Sequence, residues 1–225
     1  CAIMARMPRR LATLATTMLA ALALAACGGG SSGMTGPAAI VESTAGATSG
    51  PFEGMAPPQV LDVGALSLPD VAHGGAPLAF KPAPGHLLLV FFGFTNCTDV
   101  CPTTMANLRA AIRRLPAADR GRVRVAFITV DPQRDTPAKV AAYVRKFLPD
   151  GSALRTDDDA ALRRVATAFS TAYAVKKLAD GTVDVEHTAF VYAVGAEGRV
   201  LVMWPDGTST DAVEHDLRAL LADAA

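Results

Sequence analysis

The sequence predicts an α/β sandwich built around a buried central sheet. Two continuous apolar runs, His86–Phe94 and Val123–Val130, have the length and the β-branched and aromatic content of strands covered on both faces. Segments with helical apolar spacing follow each run, and a hairpin and a closing helix complete the chain. Strands that alternate with amphipathic helices must layer against one another to bury both apolar faces.

The elements are expected in the following order. Val60–Leu68 and Leu78–Phe80 are short strands on either side of a turn at Gly74–Gly75. His86–Phe94 (HLLLVFFGF) is the first central strand. A helix begins at about Pro102, with Met105, Leu108, Ile112 and Leu115 along one face. Val123–Val130 is the second central strand. Thr136 and Pro137 mark a helix start, threonine as the cap and proline in the first turn, and that helix reaches about Phe147. A further helix is expected over Asp157–Tyr173. Thr188–Val194 and Arg199–Trp204 form a hairpin around Gly195 and Gly198. The last helix, about Asp211–Ala222, turns Val213, Leu217, Leu220 and Leu221 to one side. The order β-β-β-α-β-α-α-β-β-α fits a sandwich of thioredoxin type, with an N-terminal β-hairpin and a C-terminal hairpin and helix. Reactive groups in such a sheet are expected at the carboxyl ends of strands.

Upstream of the domain the pattern is different. Arg6, Arg9 and Arg10 precede an uncharged run, Leu11–Ala26, too short for a membrane span and typical of a signal segment. The sequence Leu24-Ala25-Ala26-Cys27, followed by three glycines, resembles the lipobox of bacterial lipoproteins. That resemblance implies cleavage before Cys27 and lipidation of its sulfur, with several acyl chains giving a stable anchor. Residues 27–56 are rich in Gly, Ala, Ser, Thr and Pro and are expected to form a flexible tether. The expected organisation is therefore a signal peptide over 1–26, a tether over 27–56 and a domain over 57–225. The domain would sit on the extracytoplasmic side of a cell-envelope membrane, as a monomer.

Charge narrows the function classes. The chain has 21 Lys and Arg against 21 Asp and Glu. Without residues 1–26 the balance becomes 18 against 21, with no basic patch, which argues against a nucleic-acid partner.

Cys97 and Cys101 are the only thiols in the domain. They fall between the end of a central strand and a helix start, where the helix dipole favours thiolate. If the four-residue step is helical, their Cβ atoms stand roughly 5–6 Å apart, against about 3.8 Å in a disulfide. That spacing suits two sulfurs on one soft ion such as Cu(I). A plain disulfide remains the alternative.

Three segments now carry a family resemblance: FFGFTNCTDVCPTTMANL (Phe91–Leu108), ITVDPQRDTPAKVAAYVRKF (Ile128–Phe147) and VEHTAFVYAV (Val185–Val194). In this order they resemble the Sco/SenC family of copper-binding assembly proteins, across most of residues 57–225. The resemblance implies a thioredoxin-like fold and one copper ion held by Cys97, Cys101 and His187. It also implies a role in assembling the binuclear copper centre of cytochrome c oxidase. The implied partners are the oxidase's copper-bearing subunit and either another copper chaperone or a thioredoxin-like reductant. Two activities follow from it, copper delivery and thiol–disulfide exchange that keeps the oxidase's copper-site cysteines reduced. A peroxidase reading of Thr98 to Cys101 lacks the upstream proline of that motif.

Two positions depart from the family pattern, Thr98 in place of a common proline and Glu186-His187-Thr188 in place of Asp-His-Ser. Neither removes a ligand, and Glu186 keeps a carboxylate beside the site. His187 is expected to open the strand that enters the hairpin. His73, His86 and His215 fall at a turn, a strand entrance and a polar helix face. Asp131 and Asp135 serve as turn and cap residues or shape the site's electrostatics, Asp99 is expected to bond local backbone, and Trp204 belongs to the core.

Overall fold

The computed structural model describes residues 51–224. The expected signal segment, Cys27 and most of the tether lie outside them. Nine strands and five helices follow in order: β1 Ser67–Asp70, β2 Ala76–Ala79, β3 Leu87–Gly93, α1 Val100–Arg114, α2 Ala117–Arg120, β4 Val123–Thr129, α3 Pro137–Phe147, β5 Ser152–Leu154, α4 Asp159–Ala168, β6 Tyr173–Lys177, β7 Val183–His187, β8 Phe190–Val194, β9 Val200–Pro205 and α5 Thr210–Asp223. Among the described residues no helix is long and apolar enough to cross a membrane.

Seven strands form one mixed sheet in the order β2-β1-β5-β4-β3-β8-β9, and β6 and β7 pair separately as a two-stranded ribbon. β3 and β4 run parallel in the middle, and all seven residues of β3 are buried. Successive side chains of a strand point to opposite faces. Leu87, Leu89 and Phe91 therefore join the core under α1, α3 and α5, while Leu88, Val90 and Phe92 join the core on the α4 side. The expected sandwich is present.

Local chemistry explains the element boundaries. Thr136 accepts a hydrogen bond from Lys139 N–H, and Pro137 takes the first helical position, so α3 starts where the sequence placed it. The closing helix buries Val213, Leu217, Leu220 and Leu221 as expected, and Asp216 with them. The Asp216 carboxylate is fully buried and accepts from Glu53 N–H, Gly54 N–H and the Trp204 indole, each at 2.8 Å. Residues 52–55, which composition placed in the tether, are therefore strapped onto the domain, and Met55 pairs with Met203.

Four expectations change. The first strand begins at Ser67, and Leu61–Val63 only touch the start of β9, where Val200 N–H donates to Leu61 O. Gly64 and Gly198 make that contact possible: a Cβ on Gly198, at φ +72°, would stand 2.3 Å from Gly64 Cα. The helix expected to reach Tyr173 stops at Ala168, because Ser170 turns into the left-handed region at φ +53° and Thr171 N–H closes back on Ala166 O. Tyr173 then opens β6; its four-residue step from the buried Phe169 mimics a helix face. β5, at three residues, is too short for a periodicity to register. Finally, His187 ends β7 and does not open the hairpin strand, which begins at Phe190.

Candidate metal centre

β3 delivers the cysteine loop to the start of α1. The helix begins at Val100, two residues earlier than expected, so Cys101 is its second residue and Cys97 lies in the loop before it. Asp99, the N-cap, makes no side-chain cap bond. The sulfur of Cys97 supplies one instead, accepting from Cys101 N–H at 3.3 Å. Helix N-termini leave backbone donors without intrahelical partners, and the Cys97 sulfur takes up one of them. Cys97 is half-buried and Cys101 fully buried, and both are free.

His187 reaches the pair from the ribbon. It stands opposite Tyr173 in the β6–β7 register, and Thr188 N–H to Ala172 O closes the ribbon's base. Its Nδ1 lies 3.1 Å from Thr188 O, so Nδ1 carries the proton and donates, leaving the Nε2 lone pair free. Nε2 lies 3.8 Å from Cys101 Sγ. Phe91 and Phe94 hold the ring edge-on at 6.1 and 6.0 Å. The imidazole thus caps the buried thiol.

Burial sets the protonation of both groups. It pushes the Cys101 thiol well above its ordinary value, with Cys97 and Asp135 adding to the rise. It holds His187 below the ordinary imidazole value, against a smaller opposing contribution from the Thr188 carbonyl. Before any ion arrives, the pair is a neutral thiol facing a neutral imidazole.

Two thiols and one imidazole nitrogen form a donor set suited to a soft, thiophilic ion. Among the described residues no group of three or more His, Cys, Asp or Glu is arranged to hold a metal as it stands. The same sulfurs could also cycle between dithiol and disulfide.

The neighbouring acids divide. Asp135 is fully buried and accepts from Thr95 N–H at 2.9 Å, from the Thr95 hydroxyl, and from the Thr129 hydroxyl at 2.7 Å. It pins the loop two residues before Cys97. Asp131 pairs with Arg134 away from the thiols. Glu186 is exposed and bonds Lys176 Nζ at 3.2 Å, and as the strand neighbour of His187 it points to the opposite face. Its expected place beside the site is not what the structure has. His73, His86 and His215 are remote and bond Asp70, Pro84 O and Asp216 respectively. Gly93 went unnoticed in the sequence, yet a Cβ there would stand 2.8 Å from Cys101 Sγ and 2.8 Å from Phe127.

Comparison with known proteins places this arrangement. The SCO1/SenC family model matches residues 71–222. The mouse "Protein SCO1 homolog, mitochondrial" is 32% identical over 131 residues, covering 57% of this chain and 46% of that protein. The chain spans about half the length of the curated relatives it matches, 46–62% for three of them. The solution structure of apo Sco1 from Thermus thermophilus is 34% identical with a TM-score of 0.65, covering 75% of this chain and 96% of that one. ScoI from Bradyrhizobium japonicum, solved with copper bound, is 30% identical with a TM-score of 0.59, covering 68% and 96%. The fold is thioredoxin-like, as in these structures, and the chain belongs to the SCO1/SenC family.

Proposed function

We propose that this chain takes up one copper ion through Cys97, Cys101 and His187 and delivers it to the copper-bearing subunit of cytochrome c oxidase. The observation that carries the reading is the meeting of Cys101 Sγ and His187 Nε2, 86 residues apart in sequence, at 3.8 Å beside the second thiol. The copper-bound Bradyrhizobium relative supports the choice of ion. Copper is the cargo here. Three protein donors leave it a coordination position through which a client's thiolate can enter and displace them one at a time. Because Cys101 is held protonated, uptake of copper must expel its proton, and affinity falls as the solution becomes more acidic. Cys27 would carry the lipid anchor, and the residues after it would let a monomeric domain reach a membrane-embedded client on the extracytoplasmic side.

The test is titration of the reduced protein with Cu(I) against a competing chelator. One ion per chain is expected, with binding lost in Cys97→Ala and in His187→Ala. Equal affinity without His187 would refute the three-donor site. A second reading, a thiol–disulfide oxidoreductase acting on the oxidase's copper-site cysteines, is favoured by one observation: Cys97 and Cys101 are both free, and the Cys97 sulfur is 3.3 Å from the Cys101 backbone nitrogen. On that reading His187→Ala keeps reductase activity while copper binding fails.

A further inference from the structure

The base of the β6–β7 ribbon carries a switch of acceptors beside His187. In an antiparallel ladder, pairs that trade two backbone hydrogen bonds alternate with pairs that trade none. At the tip of the ribbon Leu178 N–H donates to Thr182 O at 2.8 Å, and the register runs from Lys177–Val183 to Tyr173–His187. Steps of two from Leu178–Thr182 place the bonding pair of the base on Ala172 and Thr188, just past the end of both strands. Half of that pair is in place, since Thr188 N–H donates to Ala172 O at 2.9 Å. The other half is diverted: Ala172 N–H donates to the Thr188 hydroxyl at 3.1 Å and not to the Thr188 carbonyl. The carbonyl left over is the acceptor that His187 Nδ1 reaches at 3.1 Å. Phe91 and Phe94, edge-on to the ring, locate it, but their side chains offer no acceptor for its proton.

We propose that Thr188 is a positioning residue for His187: its hydroxyl takes the ladder donor of Ala172, which leaves the Thr188 carbonyl to hold the ring proton on Nδ1 and keeps the Nε2 lone pair turned to Cys101. What this does for copper rests on the reading given above. A neutral imidazole has one proton for two nitrogens, and the nitrogen that carries it has no lone pair for an ion. Metal-binding histidines are commonly oriented in this way, by a bond from the other ring nitrogen. Were Ala172 N–H to claim the Thr188 carbonyl, that oxygen would serve a second donor, fixed in the ladder direction across the strands. Its hold on the Nδ1 proton would weaken. In part of the molecules the proton would then sit on Nε2, and the atom that faces Cys101 would change from acceptor to donor.

The experiment pairs Thr188→Val, which keeps the branched shape and removes the hydroxyl, with Thr188→Ser, which keeps the hydroxyl and removes the methyl. Three readouts are compared with the unaltered protein. The ring ¹⁵N shifts of His187 in the reduced, metal-free protein, at a pH where the imidazole is neutral, report which nitrogen holds the proton. The thermal midpoint reports the fold, and chelator competition reports Cu(I) affinity. In the unaltered protein the proton is expected on Nδ1. In Thr188→Val the shifts should move toward the Nε2–H form, Cu(I) affinity should fall roughly fivefold, and the midpoint should drop by less than about 4 °C. Thr188→Ser should match the unaltered protein in all three. A proton already on Nε2 in the unaltered protein overturns the proposal. So does a valine variant with unmoved ring shifts, which is the result a merely structural threonine gives even where the midpoint falls. A moved tautomer with unchanged affinity overturns the positioning role while the copper reading stands. A serine variant that behaves as the valine one overturns it too, since the methyl and not the hydroxyl would then be at work. If the unaltered protein itself binds no copper, the copper reading fails, and the ring shifts alone decide whether Thr188 sets the tautomer.

Discussion

Asp135 is where the fold's energetics and the site's geometry meet, and its replacement tests both. The carboxylate accepts three hydrogen bonds, two from Thr95 and one from the Thr129 hydroxyl, at a position with no solvent exposure. Hydrogen bonds to charged groups contribute about 1.5–3 kcal/mol each, and removing a shared acceptor is not additive. Lys139, at 3.8 Å and 43% exposed, adds little. Asp135→Ala strands the Thr95 N–H and two hydroxyls in a dry site, and a loss of about 4 kcal/mol is expected. Asp135→Asn keeps one oxygen for Thr95 N–H and Thr129, and its amide can donate to a rotated Thr95 hydroxyl, so about 1–2 kcal/mol is expected. Urea unfolding of the reduced, metal-free variants measures both. Copper affinity should fall in the same order, because Thr95 sets the loop two residues before Cys97. An Asp135→Ala protein within about 1 kcal/mol of the unaltered one would refute the reasoning. So would an asparagine variant as damaged as the alanine one, since charge and not hydrogen-bond geometry would then be the cause.

Three further outcomes are expected. Gly93→Ala must push its new methyl against Cys101 Sγ and Phe127, each 2.8 Å away; about 1–3 kcal/mol of overpacking and weaker copper binding should appear together in unfolding and titration experiments. Asp216→Ala removes the acceptor for Glu53, Gly54 and Trp204, so hydrogen exchange should speed up over residues 53–55, with about 2–4 kcal/mol of stability lost. Stability should fall on both sides of neutrality. With His187 held below its ordinary 6.5, the unfolded chain binds more protons once the pH drops below about that value. With Cys101 held above its ordinary 9.0, the unfolded chain releases its proton first above about that value. Unfolding free energies measured against pH should lose the slope that sets in just below 6.5 in His187→Gln and the slope that sets in just above 9.0 in Cys101→Ala.

The parts of the fold that were legible in sequence are those where a local pattern decides. β3 and β4 announce themselves because a strand must be apolar where it is buried on both faces, along all of β3 and over Val125–Ile128 of β4. The start of α3 is written in Thr136 and Pro137 because a cap is a contact between neighbours. The misreadings come where tertiary pairing overrides spacing. Phe169 and Tyr173 repeat like a helix, but Phe169 packs into the core against Phe80, Phe92 and Tyr192, while Tyr173 pairs across the ribbon with His187. In the ribbon, β7 alternates Val183 and Val185 with Asp184 and Glu186 over only a few half-buried residues, and β6, largely exposed, has no such alternation to pair with it.

The sequence by itself determined a thiol pair at a strand-to-helix junction of an α/β sandwich, because strand, loop and helix start are contiguous. Resemblance pointed to His187 as the third donor of the proposed site. Only the tertiary structure decided that His187 hangs from a separate ribbon and faces Cys101, that Glu186 turns away from both, that Asp135 pins the loop, and that Asp216 straps residues 53 and 54 onto the domain. Each of these is a contact between residues far apart in the chain. Such contacts are fixed by how the sheet and helices pack, and no window of local sequence contains that information.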